Sequence, residues 1–433
     1  MLANARAATV AHTVIEHAKA LLSPRDSDAS QRFSAPPVHI AAASVASTIE
    51  VDAVTTRAGF DALESDWNDL FARAGRSIHV FQTFNWCWHW CNHFLGPDTA
   101  ANSARLFVVT ARRAGRLVLV WPLVATRTAG LVRLSFLGEP VTQYGDALVD
   151  QVDDKAALLD AAWAFIVARS GADAFHFRRV RADADIAPLL VAKQADISER
   201  LQAPFLDLTS APDFATYEQR YSTKARKNRR RLLRRFEERA PATLETLTSG
   251  TRARELAELA LLLKRAWLKD RGLVSPALAD PRTRAFFASV AEAREHPAGC
   301  RVTSLETRGE ATAIEIAFDC KGRRAVHVIV FALKYERASP GQLLIDRSVR
   351  NCFDSGVQVY DLMTPADAYK LDWADDSTEV CDWTLGLTSK GRLYTRLYLA
   401  RLRPLLKKAI NGTTQRLRAL RSSNAQQQPT DAG

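Results

Sequence analysis

The sequence predicts an α+β protein made of two related halves, each a mixed, largely antiparallel sheet flanked by helices. Three observations carry this reading. Alternating apolar and polar runs joined by short Gly-containing turns occur twice, over 104–137 and over 301–335. Helical periodicity surrounds these runs instead of alternating with single strands, the order of an α+β fold. The succession strand, strand, helix, strand appears in both halves. The chain has 433 residues, 47% hydrophobic and 25% charged. That suits two or three domains and excludes wholesale disorder, collagen-like repeats and disulfide scaffolds. No run of 18 apolar residues is present, so no transmembrane helix is expected.

The elements follow in order. Met1 to Ala35 is alanine-rich but broken by His12, Glu16, His17 and Lys19, without the apolar block of a signal peptide. Residues 1–48 are therefore expected to be a disordered or weakly helical extension, and the protein to be cytoplasmic. The first domain is expected over 49–211. In Phe81–Gly96, Trp86, Trp90 and Phe94 recur at i+4 and Gly96 ends the helix. Cys87, His89, Cys91 and His93 lie there too. On a helix the cysteines share one face and the histidines another, so they do not converge on a metal. No metal site is expected anywhere. The other cysteines, Cys300, Cys320, Cys352 and Cys381, are scattered, and reduced, mostly buried thiols are expected. Strands are expected at 104–112, 117–125, 131–137 and 147–149, with turns at Ala114-Gly115 and Ala129-Gly130. A helix over 155–170, a strand over 174–180, a short helix over 186–193 and a strand over 204–208 complete this half.

A basic helix is expected over 212–240 and a second domain over 241–389. Helices over 254–271 and 281–295 precede a meander of strands at 301–307, 312–319 and 325–335, turning at Gly309 and Lys321-Gly322. Ser339-Pro340-Gly341 opens a helix that stops at Gly356, and strands follow at 357–363 and 380–387. Residues 390–433 read as a basic amphipathic helix and a disordered tail.

The net charge of +11 is concentrated. Tyr217–Arg239 holds ten Lys/Arg against three Glu, and Lys390–Arg421 holds ten Lys/Arg and no acid, leaving the rest mildly acidic. Only 13 of the 59 basic residues are lysine. Nucleic-acid binders interleave such charge with aromatic platforms or a known motif, and Lys224–Arg239 contains one aromatic residue. A solvated helix face and an attractor for anionic ligands both fit it. Nucleophile-elbow, P-loop and dinucleotide fingerprints are missing from the sequence, which ranks hydrolase, NTPase and dehydrogenase readings low.

The most informative local feature is Tyr335-Glu-Arg-Ala-Ser339-Pro340-Gly341-Gln342-Leu343. Ser339 suits an N-cap and Pro340 the first helical position. The amides of Gly341, Gln342 and Leu343 would then face outward at the positive end of the helix dipole, an anion site suited to a pyrophosphate. The same residues also make an ordinary capped helix start. A meander, an anion-binding loop, a helix and a strand ending in acidic residues resemble the GNAT acyltransferase core. Within that superfamily the chain resembles the double-domain subgroup of CelD-type proteins related to the Fem peptidyltransferases. The matching pieces are Phe81-Gln82…Trp86…Trp90…Phe94, Phe136-Leu-Gly138…Asp146, Lys224…Arg226-Lys227-Asn228…Arg231, Trp267-Leu-Lys269, Ser339-Pro340-Gly341 and Asp361…Tyr369-Lys370…Trp373. One departure stands out: members commonly carry Tyr-Asp before the Ser-Pro-Gly loop, where this chain has Phe331-Ala332, so no role of that Asp carries over.

The resemblance implies two tandem GNAT-like domains and an acyl-CoA (acetyl-CoA) cosubstrate across the second, held at Ser339, Gly341, Gln342 and Leu343 with Lys370 on a phosphate or carboxylate. Asp361 is the favoured base, Glu315 a second candidate and Tyr369 the proton donor. Asp146 and Tyr335, with Arg226 and Lys227 of the basic helix, are expected to contact the acceptor. The implied activity is N- or O-acyl transfer to a small-molecule or saccharide acceptor, such as an envelope or exopolysaccharide precursor. One alternative is a Fem-type transferase using aminoacyl-tRNA, the one reading in which nucleic acid is a partner. The other is a non-enzymatic protein that binds an anionic ligand or, through its C-terminal helix, a membrane surface.

Overall fold

The computed structural model describes residues 38–40, 49–96, 104–238, 241–273, 275–294 and 298–397. Most of the expected N-terminal extension and the basic tail beyond residue 397 lie outside the described residues. The first half comprises β1 (Val38–Ile40), β2 (Ile49–Val54), α1 (Glu64–Ala74), α2 (Phe84–Phe94), β3 (Ala104–Leu106), β4 (Val108–Arg113), β5 (Arg116–Trp121), β6 (Leu123–Thr128), β7 (Leu131–Phe136), β8 (Leu148–Val149), α3 (Lys155–Arg169), β9 (Ala174–Arg181) and β10 (Asp196–Asp207). Then follow α4 (Thr223–Glu237), β11 (Thr243–Leu247), α5 (Thr251–Asp270), α6 (Pro281–Glu292), β12 (Gly299–Thr307), β13 (Glu310–Cys320), β14 (Arg323–Phe331), α7 (Pro340–Asp354), β15 (Val359–Asp361) and β16 (Asp376–Gly386).

The fold is α+β, as expected, with largely antiparallel sheets flanked by helices. Each tight turn in the meanders places two residues at positive φ, for example Ala114-Gly115 and Lys321-Gly322, which matches the right-handed twist of the strands they join. A sheet in the order β1-β2-β4-β5-β8 and an eleven-stranded sheet in the order β11-β12-β13-β14-β15-β10-β16-β9-β7-β6-β3 result. Among the described residues, only the β7–β9 and β14–β15 ladders are parallel.

Several elements differ from expectation for local reasons. The strand expected over 117–125 is two strands, because Pro122 cannot donate to a ladder; β5 joins the small sheet and β6 the large one. The basic helix starts at residue 223, where the Ser222 hydroxyl caps Ala225 N–H, and a short helix at Phe214–Tyr217 precedes it. The short strand expected at 204–208 is the end of twelve-residue β10, which pairs with β16 on one side and β15 on the other.

The principal core crosses between the halves. Trp86 of α2 meets Phe286 of α6 and Phe318 of β13 edge-on, with centroids 4.9 and 5.1 Å apart. Each such ring buries roughly 150–250 Å², so a handful of them dominates the packing free energy there. All six cysteines are buried and unbridged, and His89 of α2 meets Ser289 Oγ at 2.8 Å. Among the described residues, no helix is long and apolar enough to cross a membrane.

Candidate active site

Two neighbouring parallel strands part company at the centre of the large sheet. β14 and β15 are paired only at Arg323–Val359, Arg324–Tyr360 and Ala325–Asp361. β14 then continues to Phe331, whereas β15 ends at Asp361 and the chain turns away through Met363, at φ +57°. Just beyond the divergence β14 carries a bulge. Ile316 faces Val328 and Ala317 faces Val326, so His327 is the extra residue. Bulges bend a strand and re-aim its side chains, and they recur beside functional sites.

The opening so created is a cavity of about 300 Å³. Ile329, Val330 and Phe331 of β14 form one wall, and Ser339, Gly341, Gln342 and Ile345 at the start of α7 another. Lys264, Trp267 and Arg271 of α5 close the third side, and Asp367 and Tyr369 the fourth. Lys264 and Arg271 lie 4.8 and 4.0 Å from the centroid of the Trp267 ring, close enough for cation–π attraction. Arg271 also pairs with Glu336 at 2.6 Å. Partial burial holds the Lys264 ammonium below the usual lysine range. A Cβ at Gly341 would meet only Phe331 Cδ1, at 3.4 Å, so the main chain there is openly approachable.

The Ser-Pro-Gly segment departs from the expected cap. Ser339 is left-handed, at φ +52°, and its hydroxyl makes no cap hydrogen bond. Its carbonyl instead accepts from Gln342 N–H at 3.1 Å and Leu343 N–H at 3.4 Å. Two of the three amides expected to be free are thus drawn into the turn. Leu343 is buried beside Leu344 and Phe236 and does not face the cavity. The Gln342 side chain is fixed by Trp373, whose Nε1–H donates to Oε1 at 2.8 Å. Arg229 of α4 stacks on Trp373 and Tyr221, its guanidinium carbon 3.7 and 3.8 Å from the two centroids.

The two carboxylates expected to act as bases are enclosed. Asp361 is fully buried; it accepts from Tyr144 Oη and Arg323 Nη1, both at 2.9 Å, and from Met363 N–H, with Arg181 at 3.5 Å. Glu315, also fully buried, accepts from the Tyr360 hydroxyl, and burial raises its pKa. Neither lines the cavity. Asp146 is likewise committed: it accepts from the amides of Ala147, Asp185 and Ile186 and from His79 Nε2, at 2.8–3.2 Å. His79, Asp146 and Asp185 come within 4.8 Å of one another, the spacing of a metal cluster. Arg76 and Lys155 neutralise them, and His79 Nδ1 already accepts from Arg76 N–H, so the donors are used within the protein.

Lys370 is buried with Nζ donating to the Met363 carbonyl at 3.0 Å, pointing into the protein instead of the cavity where a phosphate was expected. Tyr335 donates to Glu310 outside the cavity, and Arg226 and Lys227 lie on the outward part of α4, with Arg226 on Gln219. Of the expected residues, the structure brings together Ser339, Gly341, Gln342 and Tyr369. Burial, reinforced by the Asp367 charge, raises the Tyr369 pKa, which keeps its hydroxyl protonated. Lys264, Trp267 and Arg271 were not singled out as a set from the sequence, although their spacing i, i+3, i+7 puts them on one helix face.

Residues 223–371 match the family model for the acetyltransferase (GNAT) domain. No curated protein matches the chain. FemX is similar in structure, with 10% identity and a TM-score of 0.48 over 72% of this chain and 97% of that one. So is the C-terminal domain of a chain described as a lysylphosphatidylglycerol synthetase from Agrobacterium fabrum, with 12% identity and a TM-score of 0.47 over 76% and 93%. A tandem GNAT protein from the clavulanic acid biosynthesis pathway gives 14% identity and a TM-score of 0.44 over 78% and 99%. The region that builds the cavity, from α4 through β14 and α7 to Tyr369, thus lies within the stretch that matches the acetyltransferase (GNAT) domain.

Proposed function

We propose that the protein is an acyltransferase that moves an acyl group from a coenzyme A thioester to an amine or hydroxyl acceptor. The observation that carries this is the cavity where β14 outruns β15 against the start of α7. Beyond Ala325 the β14 edge is unpaired toward β15, so its main-chain groups are available to an extended chain with amides of its own, such as a pantetheine arm. Lys264 and Arg271 supply positive charge for the phosphates, and Gly341 lets them approach the main chain. The acceptor's lone pair attacks the thioester carbonyl, the C–S bond breaks, and the thiolate takes a proton from the Tyr369 hydroxyl. Of the two carboxylates that line the cavity, Glu336 is paired with Arg271, which leaves Asp367 to accept the acceptor's proton, in place of Asp361 and Glu315. The CelD-type resemblance supports a saccharide or envelope-precursor acceptor.

Saturation-difference NMR with acetyl-CoA tests the reading. Wild-type protein should show adenine and pantetheine contacts, and Gly341→Asp, which sets a negative charge at the cavity wall, should weaken binding at least tenfold with the fold intact. Wild-type protein without coenzyme contacts would refute the proposal. The Fem-type alternative draws on one observation: Lys224, Lys227, Arg230, Arg231, Arg234 and Arg235 of α4 are exposed. Binding of tRNA that falls steeply with salt would favour it.

A further inference from the structure

Two cations at the seam between the halves form no direct ion pair among the described residues. Arg179 lies in β9 at a break in its register with β16 and takes φ +59°, a conformation costly to a residue with a side chain. Its surroundings over-determine it. Its N–H donates to Asp382 Oδ1 at 2.8 Å, its carbonyl accepts from Gly145 N–H at 3.0 Å, and Nη1 donates to Thr364 Oγ1 at 2.7 Å. Lys370, only 7% exposed, donates to the carbonyl of Met363, itself at φ +57°. The two side chains therefore grip consecutive residues of one strained loop, and Gln143 Oε1 from the first half reaches Thr364 Oγ1 at 3.5 Å. Among the described residues, no carboxylate oxygen lies within 4.0 Å of either cation, although neighbouring Arg178, Arg181 and Arg323 all have one. His327 adjoins the seam with Nε2 donating to the Val141 carbonyl at 2.6 Å, and its Nδ1 is buried without a partner.

We propose that Arg179 and Lys370 bind the carboxylate or phosphate group of an anionic acceptor at this seam, beside the cavity that Tyr369 and Asp367 line. The proposal rests on the acyltransferase reading for the word acceptor, but the anion site can be tested alone. A guanidinium offers paired donors to either oxyanion and an ammonium a point charge, which together fit a single anionic group. Burial lowers both groups' pKa values, that of Lys370 to about 8, against the opposing charges of Asp367 and Asp361 on Lys370 and of Asp382 and Glu199 on Arg179. Desolvated cations left in this way are costly, and an anion would relieve the cost. Two desolvated cations from different elements thus converge on the Met363-Thr364 segment, where one anionic group could meet both.

The test uses the full chain. Inorganic phosphate and glycine are titrated separately at constant ionic strength, with chloride as control, with and without saturating desulpho-coenzyme A, following thermal stability and NMR shifts. One or both anions should bind in the presence of the coenzyme analogue and weaken at least tenfold in Arg179→Gln and in Lys370→Gln, whose folding is checked by circular dichroism. Arg179→Lys, which keeps the charge, should retain part of the affinity and guards against a variant that fails to fold. The phosphate and glycine arms distinguish the two sources of negative charge. Binding that disappears when the analogue fills the cavity, binding equal in wild type and both Gln variants, or no binding beyond that of chloride would each overturn the proposal. Failure of the analogue to bind, with the anion site intact, would instead count against the acyltransferase reading.

Discussion

Asp361 shows how a side chain's surroundings decide its role. It is wrapped by Tyr144, Arg181, Arg323 and the Met363 amide, and so links β15 to β9 and β14 and to the first-half loop that carries Tyr144. Removing one partner of such a buried pair leaves uncompensated charge, at a typical cost of about 3–5 kcal/mol. Asp361→Ala should accordingly lower the unfolding free energy by that amount in urea titrations, with Asp361→Asn intermediate because the amide oxygen still accepts from Tyr144 and Met363. A base acting on substrate would behave in the opposite way, losing turnover in Asp361→Asn at unchanged stability. An aspartate at a strand end reads the same in sequence whether it faces a cleft or an ion pair. What separates the two here is the company of Arg181 and Tyr144, more than 200 residues away in the case of Tyr144.

At the scale of elements, the bulge in β14 places His327 among Phe81, Phe287 and Phe318, and that packing makes its titration visible. Burial lowers its pKa to about 4, from an unperturbed value near 6.5. The folded state thus resists the proton that the unfolded chain accepts. The stabilisation from a neutral His327 is complete above pH 6.5 and is lost as the pH falls toward 4, by about 3 kcal/mol at 1.36 kcal/mol per unit. His327→Gln can still donate to the Val141 carbonyl but does not titrate. Its unfolding free energy should therefore fall less than that of the wild type between pH 7 and pH 4. Tight Gly turns, the Trp-rich α2 and the start of α7 at Pro340 were legible because local backbone chemistry sets them. The bulge at His327, the left-handed Ser339 and the strained Arg179 were not, since each is imposed by partners distant in sequence. The cavity was legible in part: Ser339, Gly341, Gln342 and Tyr369 belong to motifs, whereas Lys264 and Arg271 reach it only through the packing of α5 on β14.

At the scale of the molecule, the question is whether two similar halves are two folding units. A boundary near residue 211 is the natural expectation from repeated element order, yet β10, which precedes it, has both its partners, β15 and β16, beyond it. β16 in turn pairs with β9 of the first half, so the eleven-stranded sheet runs through the boundary without a break. The principal core does the same, with Phe81 and Trp86 packed on Phe286 and Phe318. A fragment ending at residue 195 would expose the aromatic face of α2 and leave β9 without β16. One beginning at residue 196 would keep β10 with its partners but bare Phe286 and Phe318. We infer that a cut at 195/196 divides the chain more naturally than one at 211/212 and that neither piece is stable alone. Urea unfolding of the full chain should then be a single transition, with tryptophan fluorescence and far-UV circular dichroism coincident. Two separated transitions, or a fragment 49–195 with native-like tryptophan emission and cooperative melting, would show that the shared sheet joins the halves without coupling them.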